Sequence, residues 1–462
     1  MNNALLPGLG GPMGRHARPT GIWFNPLPWT IFVAAALFIV LSLRQVPCVQ
    51  TEASNAINAF IRLCYSDIPV TYMGSEFGLG HSPLGGGDMD FPPVLGVIIL
   101  GVLQLTRILD AEIHPDAGTQ AELDGAQIFY GLTMVLLFIF FLAWAIATAM
   151  MGRGSRHGTV RTWDGMLVAA SPVVLAAGLI DWNILPIGLS ALGLWQFSQR
   201  RIPEAGVILG LAMGAASMPV LVTASVAVAV LLRGQWRQLL LFLGTSLITA
   251  GLVHLPLLLS DAGRVVAFYQ HQIDTETSYG SFWFLLAAMG VSVRASGSLG
   301  LMILMLFLGI LFSVLYVKQL RPRVGTLIAI TVFASALLGA TYTPQTALWL
   351  LFALVLARPF RTEMVLFTIS QLAYYLAVWG WISGALKAED NGPENLYFLA
   401  IFARICVDVL LLVCFHRDVF RPGSDLVRRP DQSDPLGGVL TDGEELRRIG
   451  EKRLVGSHHS TG

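Results

Sequence analysis

PPVLGVIILGVLQLTRIL, residues 92–109, is apolar enough to cross a membrane, yet DMD (88–90) stands before it and DAEIHPDAGTQAELD (110–124) follows it. Its reading decides the fold, because a crossing here would invert everything downstream. A spanning helix needs about 20 apolar residues, fewer where protein flanks it. Runs that qualify lie near 28–44, 127–151, 165–180, 183–198, 204–218, 219–232, 238–259, 298–317, 325–341, 345–357, 363–383 and 394–415, twelve in all. The gaps between them alternate in charge. Arg15/Arg18, Arg153/Arg156/Arg161, Arg200/Arg201, Arg233/Arg237, Lys318/Arg321/Arg323, Arg358/Arg361 and the tail after His416 are basic, and basic gaps face the cytoplasm. The others carry Glu52, Asp67, Glu76, Asp88 and Asp90, then Asp181, then Asp261, Asp274 and Glu276, then Glu389, Asp390 and Glu394. Acidic on both sides, 92–109 reads as a re-entrant or surface-lying helix inside one long outer loop, 45–126, where non-spanning backbone packed on protein is tolerated. A thirteenth span is the alternative.

The composition agrees with a polytopic membrane protein: 55% hydrophobic, 13% charged, mean hydropathy +0.66. A soluble domain carries roughly twice that charge. Lys+Arg and Asp+Glu balance at 29 each, so no net field points to nucleic acid. The expected organisation is a cytoplasmic segment 1–27, an all-α membrane domain 28–416, and a cytoplasmic tail 417–462 that turns polar near 424 and reads as largely disordered. The first apolar run is followed by no small-residue cleavage site and reads as a retained helix. Of four cysteines, Cys48 and Cys64 share one loop and pair if it faces an oxidising compartment, whereas Cys406 and Cys414 read as packing residues.

Within the long loop, CYSDIPVTY (64–72) sets Asp67 between Tyr65 and Tyr72. A lone carboxylate so placed is either a general base or a helix cap, since Ser-Asp before Ile-Pro is also a good turn. Arg404 and Asp408, four apart, share a helix face inside an apolar run and are either functional or a self-neutralising pair. His254 reads as a packing imidazole, and Trp283, Trp349, Trp379 and Trp381 as an interfacial belt. The spacing of His81 and His114 fits no tight metal site.

An acid-bearing outer loop with an aromatic-framed aspartate resembles the first periplasmic loop of superfamily C glycosyltransferases. CYSDIPVTY, DFPPVLG (90–96), DWNILPIGLSALGLW (181–195), YGSFWFLL (279–286), YTPQTALWLLFALVLARP (342–359) and FRPGSDLVRR (420–429) together look like the actinobacterial membrane proteins of glycosyltransferase family 87, in order and spacing from about 25 to 430. The charge alternation puts both termini inside, and the resemblance implies the GT-C fold, a plasma-membrane location, and a polyprenyl-phosphate-linked hexose, mannose, as donor. It implies transfer with inversion to an envelope glycolipid or glycan on the periplasmic face, with the lipid bilayer as surroundings and no nucleic acid partner. It assigns Asp67 as catalytic base and gives Asp90 to acceptor hydroxyls or a divalent cation. Asp181 matches a second acid of the next outer loop, Tyr342 and Gln345 a Pro-Gln motif, and Tyr65 flanks the base.

One departure bears on the donor. Relatives usually carry a Lys before a Pro in the fifth span, whereas GAASMPVLV (214–222) has Ser217 and Met218 there. A phosphate leaving group needs a cation. Arg264, His271 and Arg404 are the candidates to supply it. The rival readings are a lipid or solute transporter or flippase, and a non-catalytic relative acting in envelope assembly.

Overall fold

The computed structural model describes residues 25–49, 57–84, 89–109, 120–151, 163–388, 392–425, 427–428, 434 and 436–440. Among them the chain is helical with no strand, which agrees with the all-α class. The helices are α1 (Pro26–Val49), α2 (Asp67–Gly74), α3 (Pro93–Ile108), α4 (Gln120–Met150), α5 (Asp164–Ala169), α6 (Pro172–Ala177), α7 (Ile184–Ser198) and α8 (Ile202–Met213). There follow α9 (Met218–Leu231), α10 (Trp236–Ile273), α11 (Phe282–Ala288), α12 (Ser296–Val317), α13 (Val324–Leu338), α14 (Thr346–Ala357), α15 (Arg361–Ile382) and α16 (Glu394–Phe420).

Six of these, α1, α4, α10, α12, α15 and α16, are long and apolar enough to cross a membrane. Their outward faces carry Leu240, Leu247, Ile248, Leu252, Leu306, Ile310 and Val413, all exposed. Such a surface belongs against lipid, since a soluble monomer rarely leaves so much contiguous apolar area uncovered. The core sits elsewhere. Helices α13 and α14 are apolar all round and buried on nearly every face, as expected of a helix with no polar stripe. Against them lie α9, α16 and the short pair α5–α6.

Helix α8 runs tightly along α10 because Gly206 and Gly210 form a small-xxx-small stripe. A Cβ on Gly206 would run into Thr245 and the Phe242 carbonyl, and one on Gly210 into the Ser246 carbonyl. Close approach therefore requires glycine at both positions.

Three expectations change. The run 165–180 is not one helix: Ser171 caps a fresh start at Pro172, its hydroxyl accepting from the Val173 N–H at 3.3 Å, which divides it into α5 and α6. The segment after 259, read as outer loop, continues α10 to Ile273 with a break at Asp261, whose carboxylate accepts from the Arg264 N–H at 3.1 Å and restarts the helix. The bend folds α10 back, so that His254 Nε2 meets the Tyr269 hydroxyl at 2.7 Å, in keeping with a packing imidazole. The described part of the tail is packed, not loose: Asp425 pairs with buried Arg323, and Leu436 and Leu440 are buried. The Arg323 guanidinium gives that segment an ionic anchor which its polar composition did not disclose.

Helix α3 falls within one residue of the apolar run 92–109 at either end, and Cys48 is disulfide-bonded to Cys64. The bridge ties the end of α1 to the segment entering α2.

Candidate functional site

CYSDIPVTY folds into a turn and the first turns of α2. Leu63, with φ +56°, reverses the chain before Cys64. Its carbonyl accepts from the Tyr375 hydroxyl at 3.2 Å, and Arg44 Nη1 donates to that same hydroxyl at 3.0 Å and to the Ala176 carbonyl at 2.8 Å. Ser66 then caps α2, its hydroxyl accepting from the Ile68 N–H. The Asp67 N–H and the Ser66 hydroxyl both donate to the Ile180 carbonyl, at 2.6 and 3.2 Å. Thus the cap belongs to Ser66, and the Asp67 carboxylate is left for other partners.

That shared carbonyl brings the Asp181 turn beside Asp67. Gln345 Nε2 stands 3.5 Å from Asp67 Oδ2, and its side chain also bonds Asp181. Asp181 accepts from the Asn183 N–H at 2.9 Å and from Asn183 Nδ2 at 2.6 Å, while Asn183 Oδ1 accepts from Trp349 Nε1 at 2.7 Å. Two carboxylates and one amide therefore converge from three separate parts of the chain. The Tyr65 hydroxyl bonds Asp67. Its ring stacks on Phe60, with centroids 4.8 Å apart, and lies 5.3 Å from that of Trp379. Tyr279, half-exposed, lies close enough to feel the charge on Asp67.

The electrostatics follow from this crowding. Burial raises the Asp67 carboxyl, with the Tyr65 hydrogen bond pulling the other way. Burial likewise pushes Asp181 up to about 7, opposed by the Asn183 N–H and reinforced by the charge of Asp67. Two neighbouring acids in different surroundings hold their protons to different degrees. Tyr65 and Tyr279 are raised by burial and then by the same Asp67 charge.

The remaining candidates spread outward from this centre. Asp90 is exposed at the edge of the site, where the next residue, Phe91, packs edge-on against Trp182 at 5.7 Å. The Val94 N–H donates to the Gly214 carbonyl at 2.8 Å, so the start of α3 lies against the stretch holding Ser217 and Met218. Arg264 lines a small cavity with Leu84, Met89 and Leu257, its Nε 4.0 Å from Asp261. His271 is exposed near the end of α10. Tyr342 is fully buried and donates to Gln371 Oε1 at 2.7 Å. Arg404 lies behind it, 1% exposed and paired with Asp408 at 3.0 Å. Asp67, Tyr65, Asp181 and Gln345 thus come together, while Tyr342 and Arg404 form a second layer.

The interfacial-belt reading is corrected for three tryptophans. Trp349, Trp379 and Trp283 are buried: Trp349 and Trp283 donate to Asn183 and to the Leu338 carbonyl, and Trp379 packs on Tyr65. Asn183, Phe60 and Arg44 had drawn no reading as site residues; only Asn183 left a trace, as the Asx-type step from Asp181. Among the described residues, no three His, Cys, Asp or Glu side chains converge as a metal-ligand set. No family model matches the chain, and no curated protein matches it.

Proposed function

We propose that the protein is an integral membrane glycosyltransferase of the GT-C type that moves a hexose, mannose, from a polyprenyl-phosphate donor to an envelope glycolipid or glycan. The site faces the outside of a twelve-span bundle whose termini are cytoplasmic. The observation that carries the reading is the Asp67 carboxylate, raised by burial, freed of capping duty by Ser66, and held by Tyr65 and Gln345. A carboxylate of raised basicity is a better general base, and such a base contributes about 10²–10⁴-fold to a reaction whose nucleophile is a sugar hydroxyl. The Cys48–Cys64 bridge supports an oxidising, outward-facing loop.

In the transfer, Asp67 takes the acceptor hydroxyl proton as the acceptor oxygen bonds to the anomeric carbon. The bond from that carbon to the phosphate oxygen breaks, its electron pair leaving with the polyprenyl phosphate, and the centre inverts. Asp181 shares the Gln345 amide with Asp67 and, near neutrality, holds a proton part of the time. It therefore limits the negative charge packed beside the base.

The test compares envelope glycolipids and glycans, by mass spectrometry, from a deletion strain complemented with wild type or with Asp67→Asn at equal membrane abundance. A hexose-shortened species in both the deletion and the Asn strain is expected. A normal profile in the Asn strain overturns the assignment and favours a transporter or an assembly factor.

A further inference from the structure

Two loops deliver side chains to Asp67 from the far side of the bundle. One, before α11, carries Tyr279, and the other, before α14, carries Gln345. Each is a short connection, so its precision has to come from what lies behind it. The loops touch directly: the Ser278 N–H donates to the Ala340 carbonyl at 3.0 Å, and the Tyr342 N–H to the Tyr279 carbonyl at 3.3 Å. They approach so closely that only glycine fits at 280. Its φ is +76°, and a Cβ there would run into the Tyr374 hydroxyl and the Tyr342 carbonyl.

Behind this junction lies one guanidinium from α16. Arg404 Nη2 donates to the Gly280 carbonyl at 2.9 Å, holding the first loop. The guanidinium carbon sits 3.5 Å from the centroid of the Tyr342 ring, holding the second. Arg404 Nη1 donates to Asp408 Oδ2 at 3.0 Å, Gln371 Nε2 donates to Asp408 Oδ1 at 3.2 Å, and the Tyr342 hydroxyl returns to Gln371 Oε1 at 2.7 Å. The circuit is closed. Its charge is balanced within the pair, and both partners are 1% exposed.

We propose that Arg404 is a positioning residue, a single buried guanidinium that fastens the Tyr279 loop to the Gln345 loop and so fixes both side chains at Asp67. The clamp itself does not depend on what Asp67 does. Its effect on turnover rests on the reading of Asp67 as the base. Arginine is required because one planar group must stack on Tyr342 while donating in two directions, which a lysine ammonium cannot do. A donor phosphate is not its partner: Asp408 neutralises it, and Tyr342 lies across its face.

The experiment uses the full-length protein in nanodiscs, as wild type, as Arg404→Lys, and as the double variant Arg404→Met/Asp408→Leu, which leaves no buried charge unpaired and so keeps the fold. Amide hydrogen exchange is followed by mass spectrometry over peptides covering 276–284 and 340–348. Both variants should exchange at least about tenfold faster in these two loops, with α7 and α13 unchanged. Unchanged protection in either loop, or a uniform loss along the whole chain, overturns the clamp. Transfer is measured with farnesyl-phosphomannose as donor probe and extracted envelope lipids as acceptor. With the base misaligned, kcat should fall roughly tenfold to a hundredfold while KM for the probe barely moves. A raised KM at unchanged kcat would make Arg404 a donor contact and overturn the proposal. If wild type transfers nothing while the variant loops still loosen, the Asp67 reading fails and the clamp stands.

Discussion

At the scale of single residues, the site is an argument about two carboxylates that share an amide. Asp67 drew notice in the sequence because a lone acid framed by tyrosines in a polar loop is unusual in so apolar a chain. Of the two readings the sequence left open, base or cap, the cap falls to Ser66, and the base is the reading proposed above. The Asn183–Trp349 bond was invisible because its partners lie 166 positions apart and each residue has an ordinary local explanation. Asp181 gives the sharpest prediction at this scale. Burial keeps it protonated to about 7 in the folded chain, whereas an unfolded aspartate releases its proton near 4. Between those values the folded state binds more protons, so this contribution is complete at low pH and is lost as pH rises through about 7. Asp181→Asn should therefore flatten the pH dependence of thermal unfolding between roughly 4 and 7 and stabilise the protein at pH 8, on the order of 2 kcal/mol after discounting its partial exposure. A variant with the wild-type slope would mean that another group titrates.

At the scale of elements, helices were legible where an apolar run ended against a strong local signal. Proline and acid before 93 placed α3, and the apolar run 219–232 begins one residue inside α9. They were illegible where one side chain restarts a helix inside an apolar run, as Ser171 does between α5 and α6, or where a helix bends and continues, as α10 does at Asp261. Periodicity cannot register either event, because hydropathy is unchanged across the break. The segment 57–66 is the element most dependent on a covalent tie, since it has little regular structure and enters the site through Leu63 and Cys64. The Cys48–Cys64 bridge closes a loop with a sequence separation of 16, which by chain entropy stabilises the fold by about 3 kcal/mol. Replacing both cysteines with serine should lower the unfolding temperature accordingly and, if Asp67 is the base, reduce transfer more than it reduces abundance. Dithiothreitol should lower wild type to the level of the double variant and leave the variant unmoved. An additional loss in the variant would place the reducible group elsewhere.

At the scale of the whole molecule, the described part of the C-terminal tail is joined to the middle of the chain, at helix ends opposite those that carry the site. Positive-inside patterning reads Arg323 as a solvated loop charge, yet it is buried and bidentate to Asp425, at 2.6 and 3.1 Å, with Nη2 also on the Ala357 carbonyl at 2.7 Å. From there the tail crosses several helix ends. Asp434 accepts from the Val324 N–H, the Gly438 carbonyl from Arg200 Nε, and the Val439 carbonyl from Gln235 Nε2. Composition alone misjudged this strap because its affinity lies in carboxylates and carbonyls whose partners come from three other connections. A strap held by one buried ion pair should fail asymmetrically. Asp425→Ala takes the ion-pair partner from buried Arg323 and leaves only the more weakly acting charges of Asp434 and Asp418 opposite it, a loss at the low end of that for breaking a buried pair, about 3 kcal/mol. Arg323→Met/Asp425→Leu removes both charges at similar volume and should restore most of that stability. Removing the tail after Phe420 lets water reach Arg323, so that deletion should destabilise less than Asp425→Ala despite discarding more contacts. Thermal unfolding of the three variants in one detergent ranks them. A tail deletion less stable than Asp425→Ala would show that the apolar contacts of Leu436 and Leu440, and not the ion pair, hold the strap in place.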